Sequence, residues 1–168
     1  MKKLLVFFII LLISAVCFAQ SDPVEGFWIS VDDNTNKITA GWQIYQEGGK
    51  LYGKILSLAD HPKGVIAVRC HESYKGFPIG GKVNTMSVTG TPWIFGLTKS
   101  KHGEWIGGSV INPEDGKIYN CKIMFRPADG KKFKTDTLEM RGEIGMGIGR
   151  SQFWHKTDAA TAGGLGPR

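Results

Sequence analysis

Past residue 19 the sequence has almost no helical spacing: apolar residues do not recur at steps of three and four over any useful length. That absence argues against a helical architecture. Long apolar runs are also missing after the first segment, so no later stretch approaches the ~20 residues a membrane-spanning helix needs. Cysteine is scarce, three in 168 residues, and no two lie two to four positions apart as in structural zinc sites. Nor is there a block of like charge. The net +6 comes from 21 Lys and Arg against 15 Asp and Glu, scattered along the chain, with Lys131-Lys132 the densest basic pair outside the N-terminus. Scattered charge of this kind is a solvated surface, and no nucleic-acid partner is expected. At 42% hydrophobic and 11% aromatic the chain is too apolar for a disordered one.

What is present begins with a leader. Met1, Lys2 and Lys3 make a short positive start, Leu4 to Val16 run almost wholly apolar, and Cys17-Phe18-Ala19 offers small residues at the usual cleavage positions. This layout predicts a secretory signal peptide over residues 1–19 and an exported protein, periplasmic or extracellular. A lipid-anchored form through Cys17 is the rival, but Val16 stands where lipoprotein processing prefers a small residue. Cleavage after Ala19 leaves 149 residues with net charge +4. Two cysteines remain, Cys70 and Cys121. In an oxidising compartment they are expected to form a disulfide, closing a loop of about 50 residues worth about 4 kcal/mol, with two buried thiols as the alternative.

The mature chain alternates. Gly26 to Val31 reads as a first strand; Ile38 to Tyr45 and Leu51 to Leu58 flank a Gly48-Gly49 hairpin signal. Thr91 to Thr98 and Glu104 to Ile111 follow, and then Asn112-Pro113-Glu114-Asp115-Gly116, whose Pro and Gly mark a turn rather than a cation loop. Beyond it Tyr119, Cys121, Ile123 and Phe125 share one face. Leu138, Met140, Gly142 and Ile144 alternate with Thr137, Glu139, Arg141 and Glu143. Ser151 to His155 closes the series, and residues 158–168 read as a flexible tail. About eight strands joined mainly by hairpins, in one domain over residues 20–157, predict an all-β antiparallel barrel, because closure removes exposed edges. The segment from Asp60 to Gly90 is the least regular and is functional or hides a short element.

Gly26-Phe27-Trp28 resembles the Gly-x-Trp signature of lipocalin-like barrels. Asp22-Pro23-Val24-Glu25, Gly41-Trp42-Gln43-Ile44-Tyr45, Leu51-Tyr52-Gly53-Lys54-Ile55, the run Asn112 to Lys122 and Arg141-Gly142 extend the likeness. Together they resemble an exported bacterial family, domain of unknown function 2147, whose fold is lipocalin-like. The resemblance implies that Trp28 plugs one barrel end with a late-strand Arg over its ring, Arg150 or Arg141. It implies no settled activity.

The expected role is non-enzymatic binding of a small apolar or amphipathic ligand, with no cofactor and no metal. Trp42 would supply an aromatic wall and Tyr52, Tyr119 and Arg141 the polar contacts. Lys54 reads as outward-facing. A filled barrel acting on a protein partner through the 60–90 segment is the alternative. A thiol enzyme at Cys70 and His71 ranks last, since neighbours on a strand point to opposite faces. Gly145 to Arg150, glycine at alternate positions, lacks the βαβ setting of a dinucleotide fingerprint and reads as a bulged turn.

Overall fold

A computed structural model describes residues 21–145 and 147–167. The expected leader and Cys17 lie outside the described residues. Eight antiparallel strands follow one another and close into a barrel: β1 (Gly26–Val31), β2 (Ile38–Glu47), β3 (Lys50–Leu58), β4 (Pro92–Lys101), β5 (Glu104–Ile111), β6 (Ile118–Arg126), β7 (Thr137–Gly145) and β8 (Ile148–Thr157). Each strand pairs with the next, and β1 pairs with β8 through Phe27↔Thr157, Trp28↔Lys156 and Ile29↔His155. The all-β barrel expected from the alternation is the fold observed.

The hairpin ends of β2–β3, β4–β5 and β6–β7 lie at one end of the barrel, and side chains fill it there. Trp28, Trp105, Trp154, Leu51, Leu97, Ile123 and Leu138 are each almost wholly buried. Trp28 Nε1 donates to the Val24 carbonyl at 2.9 Å, so the chain entering β1 folds across this end. The cation over the Trp28 ring is Lys156, 5.6 Å from its centroid. Arg150, expected there, instead pairs with Asp33 at 2.9 Å. The register decides this: Lys156 is the direct neighbour of Trp28 across the seam, whereas Arg150 lies six residues away at the other end of β8.

Gly41 lets the C-terminal segment approach the barrel. A Cβ on Gly41 would run into the Ala162 carbonyl. Gly41 lies between inward Ala40 and Trp42, so it faces out, and a bulge in β3 brings Ser57 opposite it. There α1 (Ala159–Gly163) docks, with Asp158 as its N-cap and Ala162 fully buried. Ser57 Oγ donates to the Ala162 carbonyl at 2.6 Å and accepts from Leu165 N at 3.2 Å. Residues 158–167, expected to form a loose tail, are thus a capped helical turn held on the outer wall. Its small, Gly-rich sequence is what close packing against a bare backbone requires.

Residues 60–90 hold a single 3₁₀ turn, Val83–Thr85, and two isolated bridges, Ile55↔Thr89 and Ile66↔Ser87. The segment wraps the open end and part of β4. Phe77 meets Phe95 edge-on at 5.4 Å, and Trp93 Nε1 donates to the Val88 carbonyl at 2.7 Å. Covered on both faces, β4 can carry Trp93, Ile94 and Phe95 in consecutive buried positions.

Candidate functional site

At the end opposite the packed tryptophans the barrel is hollow. A cavity of about 810 Å³ opens there between the strands and the 60–90 segment. That lies within the roughly 300–1,000 Å³ usual for small-molecule sites. Its wall is mixed: Trp42, Ile55, Val110 and Met140 from the barrel and Val65 and Val88 from the covering segment supply the apolar part, and Ser30, Thr39, Tyr119 and Gln152 add polar atoms. The charged groups, with Asn112, stand on the surrounding loops and strand ends: Asp32, Glu114, Arg69 and Arg150.

The floor is the Trp42 indole, backed by the buried indole of Trp154. Trp42 stacks on Trp154, centroids 4.7 Å apart and planes 26° from parallel. Both N–H groups are used: Trp42 Nε1 donates to Ser30 Oγ at 3.1 Å and Trp154 Nε1 to Gln152 Oε1 at 3.2 Å. Each ring is therefore fixed in orientation, and a ligand meets an immobile aromatic surface at Trp42. Of the expected contact residues, Trp42 and Tyr119 line the cavity.

Tyr52 and Arg141 do not. Tyr52 lies between inward Leu51 and Gly53 and stacks on Tyr45 at 5.7 Å on the outer wall. Lys54 reaches over that same Tyr45 ring. Arg141 lies on the outer face of β7 in a ladder of charges: its Nε donates to Glu143 Oε1 at 2.7 Å, and Lys122 holds the same oxygen at 3.1 Å. The reason is the two-residue period of the strand, which turns Arg141 to the side of Glu139 and Glu143. Gln152, Gly142 and Met140 are cavity residues that sequence reasoning did not single out as such. Their signal was present in the parity of β7 and β8 with buried Leu138 and Trp154.

The cover over the cavity is latched. Tyr74 Oη donates to the Gly116 carbonyl at 2.7 Å and accepts from His71 N at 2.9 Å. Arg69 donates to the Glu114 carbonyl at 3.4 Å. Gly116 has φ +71°, and a Cβ there would strike the Arg69 carbonyl, so the turn after β5 and the cover meet backbone to backbone. Tyr74→Phe is expected to loosen this latch by about 1 kcal/mol. Faster amide exchange at His71, with β6 and β7 amides unchanged, is the result that checks it.

Cys70 and Cys121 are both free and buried, not bridged as expected. Cys70 sits in the cover against the β5–β6 turn, while Cys121 belongs to the barrel interior beside Gly108 and Gly142. Burial pushes the Cys70 thiol up, the Tyr74 hydroxyl opposes the shift, and Asp115 adds to it. Burial alone pushes Cys121 far above the ordinary thiol range. Both sulfurs are kept in their unreactive protonated form. Among the described residues no three His, Cys, Asp or Glu side chains cluster as a metal site would need, and no helix is long and apolar enough to cross a membrane.

Residues 26–156 match a family of bacterial proteins described as "Uncharacterized protein conserved in bacteria (DUF2147)". This chain belongs to that family. No curated protein matches it. Among solved structures, a similar chain is protein HP1028 from Helicobacter pylori, described as belonging to the lipocalin family. It shares 18% identity at a TM-score of 0.62, covering 82% of this chain and 84% of that one. At that identity the likeness establishes the fold alone: this DUF2147 chain is a lipocalin-like barrel, as its Gly26-Phe27-Trp28 start implies.

Proposed function

We propose that this DUF2147 barrel is an exported, non-enzymatic carrier of a small apolar or amphipathic molecule in the cell envelope. The observation that carries the reading is the 810 Å³ cavity floored by Trp42. A packed barrel has no use for a rigid, hydrogen-bonded indole facing an open space. Apolar transfer onto this wall supplies affinity at about 25 cal/mol per Å² buried. The inertness of the two thiols favours carriage over chemistry at Cys70. The leader over residues 1–19 is what supports export.

Native mass spectrometry of the mature protein purified from a bacterial envelope tests this. The expected result is a bound small molecule that survives desalting and is absent from Met140→Trp, a variant that fills the cavity, with similar melting of the two proteins. A bare wild-type mass, together with failure of the delipidated protein to bind an apolar dye, overturns it. A second reading, contact with a protein partner through residues 60–90, draws on the exposure of Val68 (71%) and Ile79 (44%) on the cover.

A further inference from the structure

Eight large apolar side chains are exposed among the described residues, and six of them surround the hollow end. Ile38 follows the β1–β2 turn, Ile66 and Val68 lie on the cover, Ile118 follows the β5–β6 turn, and Ile144 and Ile148 stand either side of the β7–β8 turn. Of the other two, Ile79 lies further along the cover and only Ile106 lies towards the packed end. Single exposed isoleucines are ordinary on a protein surface, whereas their gathering at one end marks a contact region. Val68, Ile144 and Ile148 leave 71%, 72% and 62% of their surface in water.

This apolar fringe is continuous with the cavity. Ile66 and Val68 line it, and Ile144 and Ile148 stand two residues outward from Gly142 and Arg150, which line it too. The cover is hydrogen-bonded to β3 and to the β5–β6 turn, and among the described residues to neither the β1–β2 nor the β7–β8 turn. An apolar molecule leaving past these side chains enters water unless another apolar phase lies against them.

The fringe is carried by four separate connections rather than by one helix or strand face. Separate apolar tips suit a fluid bilayer, which needs no matching shape. The charges among the tips balance. Arg150 pairs with Asp33 at 2.9 Å and Lys117 with Asp115 at 3.4 Å, while Lys37, Lys63 and Arg69 stand against Asp32, Asp60 and Glu114. Approach to a lipid surface therefore meets no large field of either sign. Lys37, Arg69 and Lys117 each adjoin an apolar tip in sequence. Their long stems let the charge stay among headgroups while the neighbour enters the acyl boundary.

We infer that the hollow end is a membrane-docking face: Ile144, Ile148, Val68 and Ile66 seat in the outer acyl region of a phospholipid bilayer, so that cargo passes between lipid and cavity without crossing water. The cargo step rests on the carrier reading above; the docking itself does not.

The test is flotation of the mature protein with phosphatidylcholine vesicles, with and without phosphatidylglycerol, at low and high salt. Wild type is expected to float with both, its partitioning changing less than about threefold with salt because the face carries balanced charge. Ile144→Ser and Ile148→Ser are each expected to weaken partitioning about fivefold, and about 25-fold together, from apolar area no longer removed from water. Ile106→Ser is expected to leave it unchanged, and all these variants to melt with wild type. Wild type remaining in the aqueous fraction overturns the inference. So does flotation that Ile106→Ser weakens as much as the Ile144→Ser/Ile148→Ser pair, or that requires phosphatidylglycerol and vanishes in salt. A dimer by light scattering that the same pair breaks, with no flotation, assigns the face to a second copy and overturns it too. Apolar-dye binding without vesicles separates the two readings. Dye binding without flotation removes the docking face and leaves the carrier; flotation without dye binding removes the carrier and leaves the docking face.

Discussion

Trp154→Ala is expected to cost about 3–5 kcal/mol, the usual range for removing a buried tryptophan. Trp154 is fully buried and supports Trp42 from below at 4.7 Å. Its loss opens a second void beneath the floor and frees the Trp42 ring, so apolar-dye affinity should fall as well. Trp154→Phe separates the two effects. It keeps a stacked ring but removes the N–H to Gln152, and is expected to cost far less stability than Ala. It also unties the Gln152 amide, while dye binding should persist. Urea titrations of the three proteins provide the check. Equal midpoints for wild type and Trp154→Ala would show that the indole pair does not hold the floor.

The second large effect is expected at the filled end. The Asp22 carboxylate is buried and meets Lys99 Nζ at 2.9 Å, with the Gly103 and Val24 N–H groups donating to it at 3.3 Å. His102 Nδ1 lies 3.9 Å from the same oxygen, and Glu25 accepts from the Asp22 N–H. Burial by itself would raise this carboxyl. The Lys99 ammonium and the two backbone donors outweigh burial and hold it below the ordinary carboxylate range. Lys99→Met leaves the charge buried without its cation and is expected to cost about 3 kcal/mol, the low end for a broken buried pair because Lys99 is itself half-exposed.

The pH dependence has a definite sign. A carboxyl lowered in the folded state binds fewer protons there than in the unfolded chain. Its contribution is therefore complete above the unfolded pKa of about 3.9 and is lost as pH falls through the folded value. Without Lys99 the folded value rises, so acid unfolding of Lys99→Met should begin at higher pH than in wild type. Glu139 and Glu143 are also lowered in the folded state, Glu139 by Ser151 and Arg126 against its burial and Glu143 by Arg141 and Lys122. They are common to both proteins, so the difference between the two acid curves reports Asp22. Superimposable curves would remove the role assigned to this pair.

Much of the fold was legible because alternation is a local property. Tyr119, Cys121, Ile123 and Phe125 declare one face of β6 without reference to any other strand, and Gly48-Gly49 declares its own hairpin. The same parity also contained the correction to Arg141 and Tyr52. Arg141 stands between Met140 and Gly142 and must point away from both, and Tyr52 does the same between Leu51 and Gly53. Polar character alone does not say which face of a strand a residue occupies.

Other features depend on contacts far apart in the chain. Whether Arg150 or Lys156 covers Trp28 follows from the β1–β8 register, which joins residues more than 120 positions apart. The docking of α1 depends on Gly41 and Ser57 presenting bare backbone and a hydroxyl to it. A five-residue helix has no stability of its own to announce in sequence. The state of the thiols turned on distance as well, since 51 positions of separation say nothing of whether Cys70 in the cover can meet Cys121 in the barrel.

By itself the sequence determined the all-β class, the hairpin order and the family to which the chain belongs. These follow from period-two patterning and turn chemistry, each settled within a few residues. The tertiary structure decided that one end of the barrel is packed with tryptophan while the other is hollow and covered. Parity tells which residues enter the interior. The space left over depends on how side chains from all eight strands and the cover meet, and that sum exists only once the barrel has closed.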